Sequence, residues 1–194
     1  MNGEILTYKF KHIPTLCTER LALRPMQVSD YTDMYDYAKR PELTRYLLWS
    51  PHPSAEYSKE FLKFVVKRYR AGKFYDWGVE EKESGRMIGT CGFTSIDVEH
   101  RKGEIGYVIN PDFHHRGYAL EAAAEILKFG FLELDLNRIE CRFMQGNAPS
   151  LKVMEKLGMT FEGYMRDAMY VKGEYRTIGV CSILKEEYKR KYNQ

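Results

Sequence analysis

The chain has 194 residues, 44% of them hydrophobic and 29% charged, with a formal net charge of +3. That length suits one generous domain with a full core, and so small a charge gives no argument for nucleic acid. Widely spaced cysteines (Cys17, Cys91, Cys141, Cys181) argue against a zinc site or a disulfide framework, and no window approaches the roughly 18 apolar residues of a membrane span.

ERLALRPM (19–26) alternates apolar and polar residues and predicts a strand. Ser29 or Asp30 then caps a helix reaching about Lys39, Pro41 ends it, and ELTRYLLW (42–49) predicts a short second helix. SPHPS (50–54) is a loop whose Ser54 caps a long helix, AEYSKEFLKFVVKRYRAG. In that helix Phe61, Leu62, Val65, Val66 and Tyr69 share one stripe, and Gly72 stops it. Lys63, Lys67, Arg68, Arg70 and Lys73 form a basic, solvated face. FYDWGVEE, the turn KESG and RMIGTCGFTSID predict a hairpin, and RKGEIGYVI adds a strand. The loop NPDFHHRG leads into the helix YALEAAAEILKFGFLEL, and NRIECRFM (137–144) returns as a strand. Asn147 caps a short helix ending at Gly158, and TFEGYMRDAMYV with EYRTIGVCSIL closes the chain as a hairpin. No repeat or linker interrupts 1–194, which reads as a single mixed α/β domain with one βαβ crossover. The opening MNGEILTYKFKH has no apolar leader-like run, so a cytoplasmic setting is expected.

The most informative stretch is His114-His115-Arg116-Gly117-Tyr118-Ala119, between a strand and a helix. A helix's first turn carries free N–H groups and partial positive charge, which attract phosphate. Gly117 removes a Cβ at the join, Ala119 keeps the next position small, and Arg116 and the imidazoles add donors. A pyrophosphate would rest on the amides of about His115 to Ala119. Strand–loop–helix with one glycine is common, so a polar loop without a ligand stays open at this point. The paired histidines do not make a metal site, because no third ligand stands at a recognisable spacing.

This stretch resembles the acetyl-CoA motif of the GCN5-related N-acetyltransferases (GNAT), Q/R-x-x-G-x-G/A, departing from it at His114. Glu104-Ile105-Gly106-Tyr107, Asn110-Pro111 and Gly117-Tyr118-Ala119-Leu120-Glu121-Ala122 resemble the RimJ/RimL-type ribosomal-protein branch. The run Asn147 to Met159 is similar to the family's second motif, N-x-x-S-x-x-V-x-E-K-x-G-F, and ERLALRP with TRYLLWSPHPS matches the branch's opening. The likeness covers about 17–184. It implies an α/β (α+β) GNAT fold: a mixed, mostly antiparallel sheet of about seven strands splayed in the middle, with about five helices.

The same resemblance implies acetyl-CoA as donor, no metal, and a primary amine as acceptor. The foremost acceptor is a protein N-terminal α-amine. The alternatives are a small amine (polyamine, amino acid or antibiotic) and a CoA-binding module with little catalysis. Val108 and Ile109 would pair with the pantetheine arm, one of their N–H groups facing the thioester carbonyl. His114, His115, Arg116, Gly117, Tyr118 and Ala119 would hold phosphate, and Asn147 would cap its helix and contact pantetheine. Glu104 is the candidate base, in an apolar run where partial burial would favour proton uptake, or else the partner of Arg101 or Arg142. Many relatives place a tyrosine acid where this chain has Met154, and Ser150 is the candidate replacement. Trp49, Trp77 and Tyr164, with Tyr170 and Tyr175, are candidate walls for the acceptor, although large aromatics are more often core. Nothing points to a membrane or nucleic-acid partner, and either a monomer or a homodimer is compatible.

Overall fold

The computed structural model describes residues 3–192. In chain order its strands are β1 (Leu16–Cys17), β2 (Leu21–Arg24), β3 (Asp76–Glu81), β4 (Met87–Asp97), β5 (Lys102–Ile109), β6 (Arg138–Met144), β7 (Thr160–Val171) and β8 (Glu174–Leu184). The helices are α1 (Gly3–Lys11), α2 (Tyr31–Ala38), α3 (Pro41–Thr44), α4 (Ala55–Arg70), α5 (Tyr118–Lys128), α6 (Ala148–Leu157) and α7 (Lys185–Tyr192). One sheet holds all eight strands in the order β1-β2-β3-β4-β5-β6-β8-β7. The mixed α/β GNAT architecture expected from the sequence is therefore present.

Local chemistry explains most of these boundaries. Ser54 accepts a hydrogen bond from the Tyr57 amide at 3.2 Å and starts α4, and Leu62, Val65 and Tyr69 are buried on its inner stripe. Gly158, at a left-handed φ of 84°, ends α6. Ala122, Ala123, Ile126 and Leu127 bury the inner face of α5. Because α5 is the crossover, β5 and β6 run parallel, and every other described pairing is antiparallel.

The pairing of β5 with β6 positions the site. It covers only Lys102–Ile105 against Arg138–Cys141. Beyond that, β5 stays with β4 as far as Ile109 opposite Gly89, and β6 stays with β8 as far as Met144 opposite Ile178. The sheet splits there into a V.

Two elements go beyond the sequence reading, and the basic tail KEEYKRKYNQ, which reads as a solvated helix face, is partly buried. The opening MNGEILTYKFKH contains α1, whose Phe10 sits edge-on to Tyr75, Trp77 and Phe129. The two-residue β1 is too short to leave a periodic signal. The basic tail forms α7 and buries Tyr188 against Phe131, their ring centres 4.9 Å apart. Two expected helices are shorter than their patterns. α3 stops at Thr44, and α5 passes into one π turn over Phe129–Glu133.

Candidate active site

Where β5 and β6 part, a cavity of about 590 Å³ opens. Its walls include Glu104 to Val108 of β5, Cys141 to Met144 of β6, Asn147 and Ser150 at the start of α6, and Asp76 of β3. Burial pushes the Cys141 thiol up, so this cysteine is a neutral wall and not a nucleophile.

The loop after β5 ends in the expected cradle. Gly117 caps α5 with φ 81°, a left-handed conformation that suits glycine. The Glu121 amide is the first to bond back, onto the Gly117 carbonyl at 3.0 Å. The amides of Tyr118, Ala119 and Leu120 therefore belong to the open first turn. His115 (φ 61°) and Arg116 are exposed beside them, and the Arg116 guanidinium lies 5.2 Å from the Phe113 ring centre. Tyr118 turns its side chain inward and donates its hydroxyl to Glu81, so it can offer a ligand only its amide. That hydroxyl, foremost among several partners, holds the Glu81 carboxyl below its ordinary range.

His114 has a different task from the one its position suggested. Its Nε2 lies 2.7 Å from the Ile109 carbonyl, which can only accept, so the ring ties the loop to the end of β5. Arg20, which sequence reasoning passed over, reaches the cradle from before β2. Its Nη1 donates to the Arg116 carbonyl at 2.9 Å and its Nε to Glu121 at 2.7 Å. Its only sequence signal was membership of the ERLALRP opening.

In the gap, backbone alternation decides what faces a ligand. The Asn110 amide bonds to the Ile88 carbonyl of β4 at 2.7 Å, so the Ile109 N–H, one residue earlier, points the other way. Val108 lines the cavity. Opposite, Asn147 accepts from the Ser150 amide at 3.3 Å as the expected cap. The Ser150 hydroxyl lies 3.0 Å from the Tyr107 hydroxyl, and burial pushes the Tyr107 phenol up. Met154, at the position where many relatives have a tyrosine, is 0% exposed in the core. Tyr107 and Ser150 thus form a pair of facing hydroxyls in the cavity wall.

Glu104 does not stand in apolar surroundings. Its Oε2 is 3.2 Å from Arg142 Nε, and Arg142 also reaches Glu140 at 3.4 Å. Of the expected aromatic walls, Trp49 lines the cavity. Trp77 does not: it is 0% exposed and donates its indole N–H to the Pro14 carbonyl at 2.7 Å. Tyr164 packs on Phe161 and Phe143 at the exposed face of the arm, and Tyr170 and Tyr175 pair with each other. On the β7–β8 arm the cavity wall is instead Met169 and Ile178, because strand alternation aims those residues inward. Among the described residues, no group of three His, Cys, Asp or Glu side chains could hold a metal, and no helix is long and apolar enough to cross a membrane.

The split sheet and the glycine-capped helix N-terminus stand together at one end of the cavity's β5 wall, and sequence comparison supplies the family. Residues 20–160 match the family described as "Acetyltransferase (GNAT) domain". The chain belongs to the GNAT acetyltransferases. A GNAT acetyltransferase structure from Bacillus anthracis is similar at TM-score 0.79 and 29% identity, with 89% of this chain and 99% of that one covered. "Uncharacterized N-acetyltransferase p20" of Bacillus licheniformis is 34% identical, covering 90% of this chain and 98% of that protein. YdaF of Bacillus subtilis (strain 168), provisionally named a ribosomal N-acetyltransferase, is 27% identical with 88% and 94% covered. Spermidine N(1)-acetyltransferase of Escherichia coli (strain K12) is 22% identical with 86% and 87% covered. These names share acetyl transfer, and the last two differ over the acceptor. Membership therefore gives this GNAT protein its class of chemistry and leaves the branch to the cleft.

Proposed function

We propose that this protein is an acetyl-CoA-dependent N-acetyltransferase whose acceptor is the N-terminal α-amine of a polypeptide. The observation that carries the reading is the V between β5 and β6, with the Ile109 N–H facing into it and the α5 cradle at its end. The residues present fit the donor. The left-handed Gly117 leaves the α5 amides open to phosphate, and the Cβ a larger residue would add meets only Arg20, at 3.5 Å.

When bound, acetyl-CoA supplies an activated acetyl thioester, and the rest is done by this chain's residues. The amides of His115 to Ala119, with Arg116 and Arg20, hold phosphate charge. The backbone edge of Ile109 and the Asn147 side chain hold the extended arm, whereas the Val108 backbone is turned to β4 and Val108 only lines the cavity. The Ile109 N–H donates to the oxygen on which negative charge develops, where a fixed donor is worth most. The Ser150 and Tyr107 hydroxyls, 3.0 Å apart, pass a proton to the departing sulfur. That pair also weakens the reading as a CoA-binding module with little catalysis, since it supplies hydroxyls to the cavity. Glu104, paired with Arg142, fixes the charge at the mouth of the V.

A small amine is the second reading, and one observation favours it. Lys172 at the tip of the β7–β8 arm donates to the Thr44 carbonyl at 2.6 Å, tying the arm to α3 and narrowing access. Thiol release measured with acetyl-CoA across peptide and small-amine panels separates the two. Turnover with peptides carrying a free α-amine is expected. Turnover confined to small amines would replace the first reading with the second.

A further inference from the structure

The cleft holds a carboxylate that the family motifs do not mark. Asp76 opens β3 directly opposite Gly92 of β4, which in turn stands opposite Gly106 of β5. Residues directly opposed across antiparallel strands project to the same face, so this row offers one carboxyl followed by two positions without side chains. All three residues line the cavity. A Cβ at Gly92 would come 2.8 Å from Asp76 Oδ1, which places the carboxyl over Gly92, leaning along the bare row towards the gap. Two interstrand steps of about 4.8 Å separate β3 from β5. Gly106 stands three residues before Ile109, about 10 Å along β5 at about 3.3 Å per residue, so a file of waters in the cavity carries a proton between an amine held beside the Ile109 N–H and the carboxyl.

We propose that Asp76 is the proton acceptor for the acceptor amine, reached along the lane that Gly92 and Gly106 leave open. This role presupposes the amine acetylation proposed above. The ammonium gives one proton through the file of waters to the Asp76 carboxylate, and the freed lone pair attacks the thioester carbon. As the C–N bond forms and the C–S bond breaks, the second proton passes by Tyr107 and Ser150 to the leaving sulfur. Asp76 returns its proton to solvent, so the net products are an amide, a thiol and one released proton.

The surroundings leave Asp76 as the group poised for this step. Burial pushes its carboxyl up to about 7, against hydrogen bonds from the Thr90 side chain and the Trp77 amide (3.1 Å) that oppose the rise. From α4, the Tyr69 hydroxyl donates to the Asp76 carbonyl at 2.6 Å, and burial pushes that phenol up. Burial likewise raises Tyr37 on α2, Cys91 on β4 and Tyr107 on β5, so these stay neutral. The nearby Glu104 carboxylate is taken by Arg142. Arg68 and Lys73 line the same cavity.

The test uses the full-length protein with acetyl-CoA and a peptide amide beginning with phenylalanine. In the wild type, kcat/KM is expected to fall on the acid side of a limb near pH 7, and a ¹³C-carboxyl NMR titration of the free enzyme should place Asp76 at that limb. Asp76→Asn should lower kcat/KM by about 100-fold at pH 7.5, with acetyl-CoA affinity by calorimetry within twofold of wild type. Thr90→Val, which removes a donor to the charged carboxylate, should move the limb to higher pH. An Asp76→Asn rate within threefold of wild type at pH 7.5, or an Asp76 signal that titrates in the ordinary carboxylate range, would overturn the assignment. Wild-type protein that binds acetyl-CoA yet acetylates no amine would instead overturn the function on which it rests.

Discussion

Gly117→Val is the sharpest perturbation of the phosphate cradle. Gly117 sits at φ 81°, and a side chain held in left-handed backbone costs about 1–2 kcal/mol, more when it is β-branched. The Cβ itself has room, since its nearest neighbour would be the Arg20 guanidinium at 3.5 Å. The variant should therefore fold, with a Tm lower by about 2–4 °C for each kcal/mol of strain in a domain of this size. Its γ-methyls then stand where phosphate approaches the first amides of α5. Losing one hydrogen bond to a charged group costs about 1.5–3 kcal/mol, and tenfold in affinity is about 1.4 kcal/mol. The dissociation constant for acetyl-CoA should thus rise by about 10- to 100-fold in isothermal titration calorimetry. Gly117→Ala, with the strain but no γ-carbons, separates the two contributions and should fall between. Acetyl-CoA binding at wild-type strength by a folded Gly117→Val protein would mean that the phosphates lie elsewhere.

Four further outcomes follow. Tyr107→Phe removes the hydroxyl facing Ser150 and should lower kcat by about 10- to 100-fold with little change in KM for acetyl-CoA, as steady-state kinetics will tell. Glu104→Gln leaves Arg142 with Glu140 as its remaining carboxylate and should depress the rate about tenfold at every pH from 6 to 9; a loss confined to pH below about 8 would make Glu104 the base. Trp49→Ala should raise the acceptor KM about fivefold without affecting stability, whereas Trp77→Ala should cost about 3–5 kcal/mol in chemical denaturation. Asp76, with its carboxyl near 7 in the fold and near 4 when unfolded, binds its proton more tightly in the fold, so stability falls as pH rises from about 4 through 7. Asp76→Asn should therefore raise the Tm at pH 8 and leave it unchanged at pH 4, and equal shifts at both would refute the sign.

What the sequence made legible was local. Capping by Ser54 and Asn147, the stop at Gly158 and the Gly117 cradle are decided within a few residues, by backbone chemistry that a short window contains. What it hid depends on register between distant segments. Tyr107 and Ser150 stand 43 positions apart, and only the closure of α6 over β5 brings their hydroxyls together. Asp76 owes its place to the pairing of three strands, which no run of letters displays. One clue was nevertheless present. Trp77 and Asp76 are neighbours on β3, so committing the tryptophan to the core would have sent the aspartate to the other face. α1 escaped because nine residues with a weak apolar stripe draw their order from packing, chiefly of Phe10.

The V itself follows from how each of its strands is held on the outer side. A Cβ at Gly89 would meet the Val108 carbonyl at 2.0 Å, and one at Gly179 would meet the Phe143 ring at 2.4 Å. Glycine in β4 and in β8 thus lets β5 and β6 each press against an antiparallel neighbour, and their parallel contact ends at Ile105 and Cys141. Part of the freed backbone is satisfied locally: His114 takes the Ile109 carbonyl, and the Asn147 amide takes that of Met144 at 3.0 Å. The Ile109 N–H faces the gap, and a sheet edge inside a domain is a template for any extended chain bearing amides. Because the strands are already held apart, binding such a chain requires no separation of β5 from β6, and each new hydrogen bond contributes to affinity without that cost. Substituting Gly89 or Gly179 should therefore act on donor binding through the shape of the gap, although neither residue stands at the phosphate cradle.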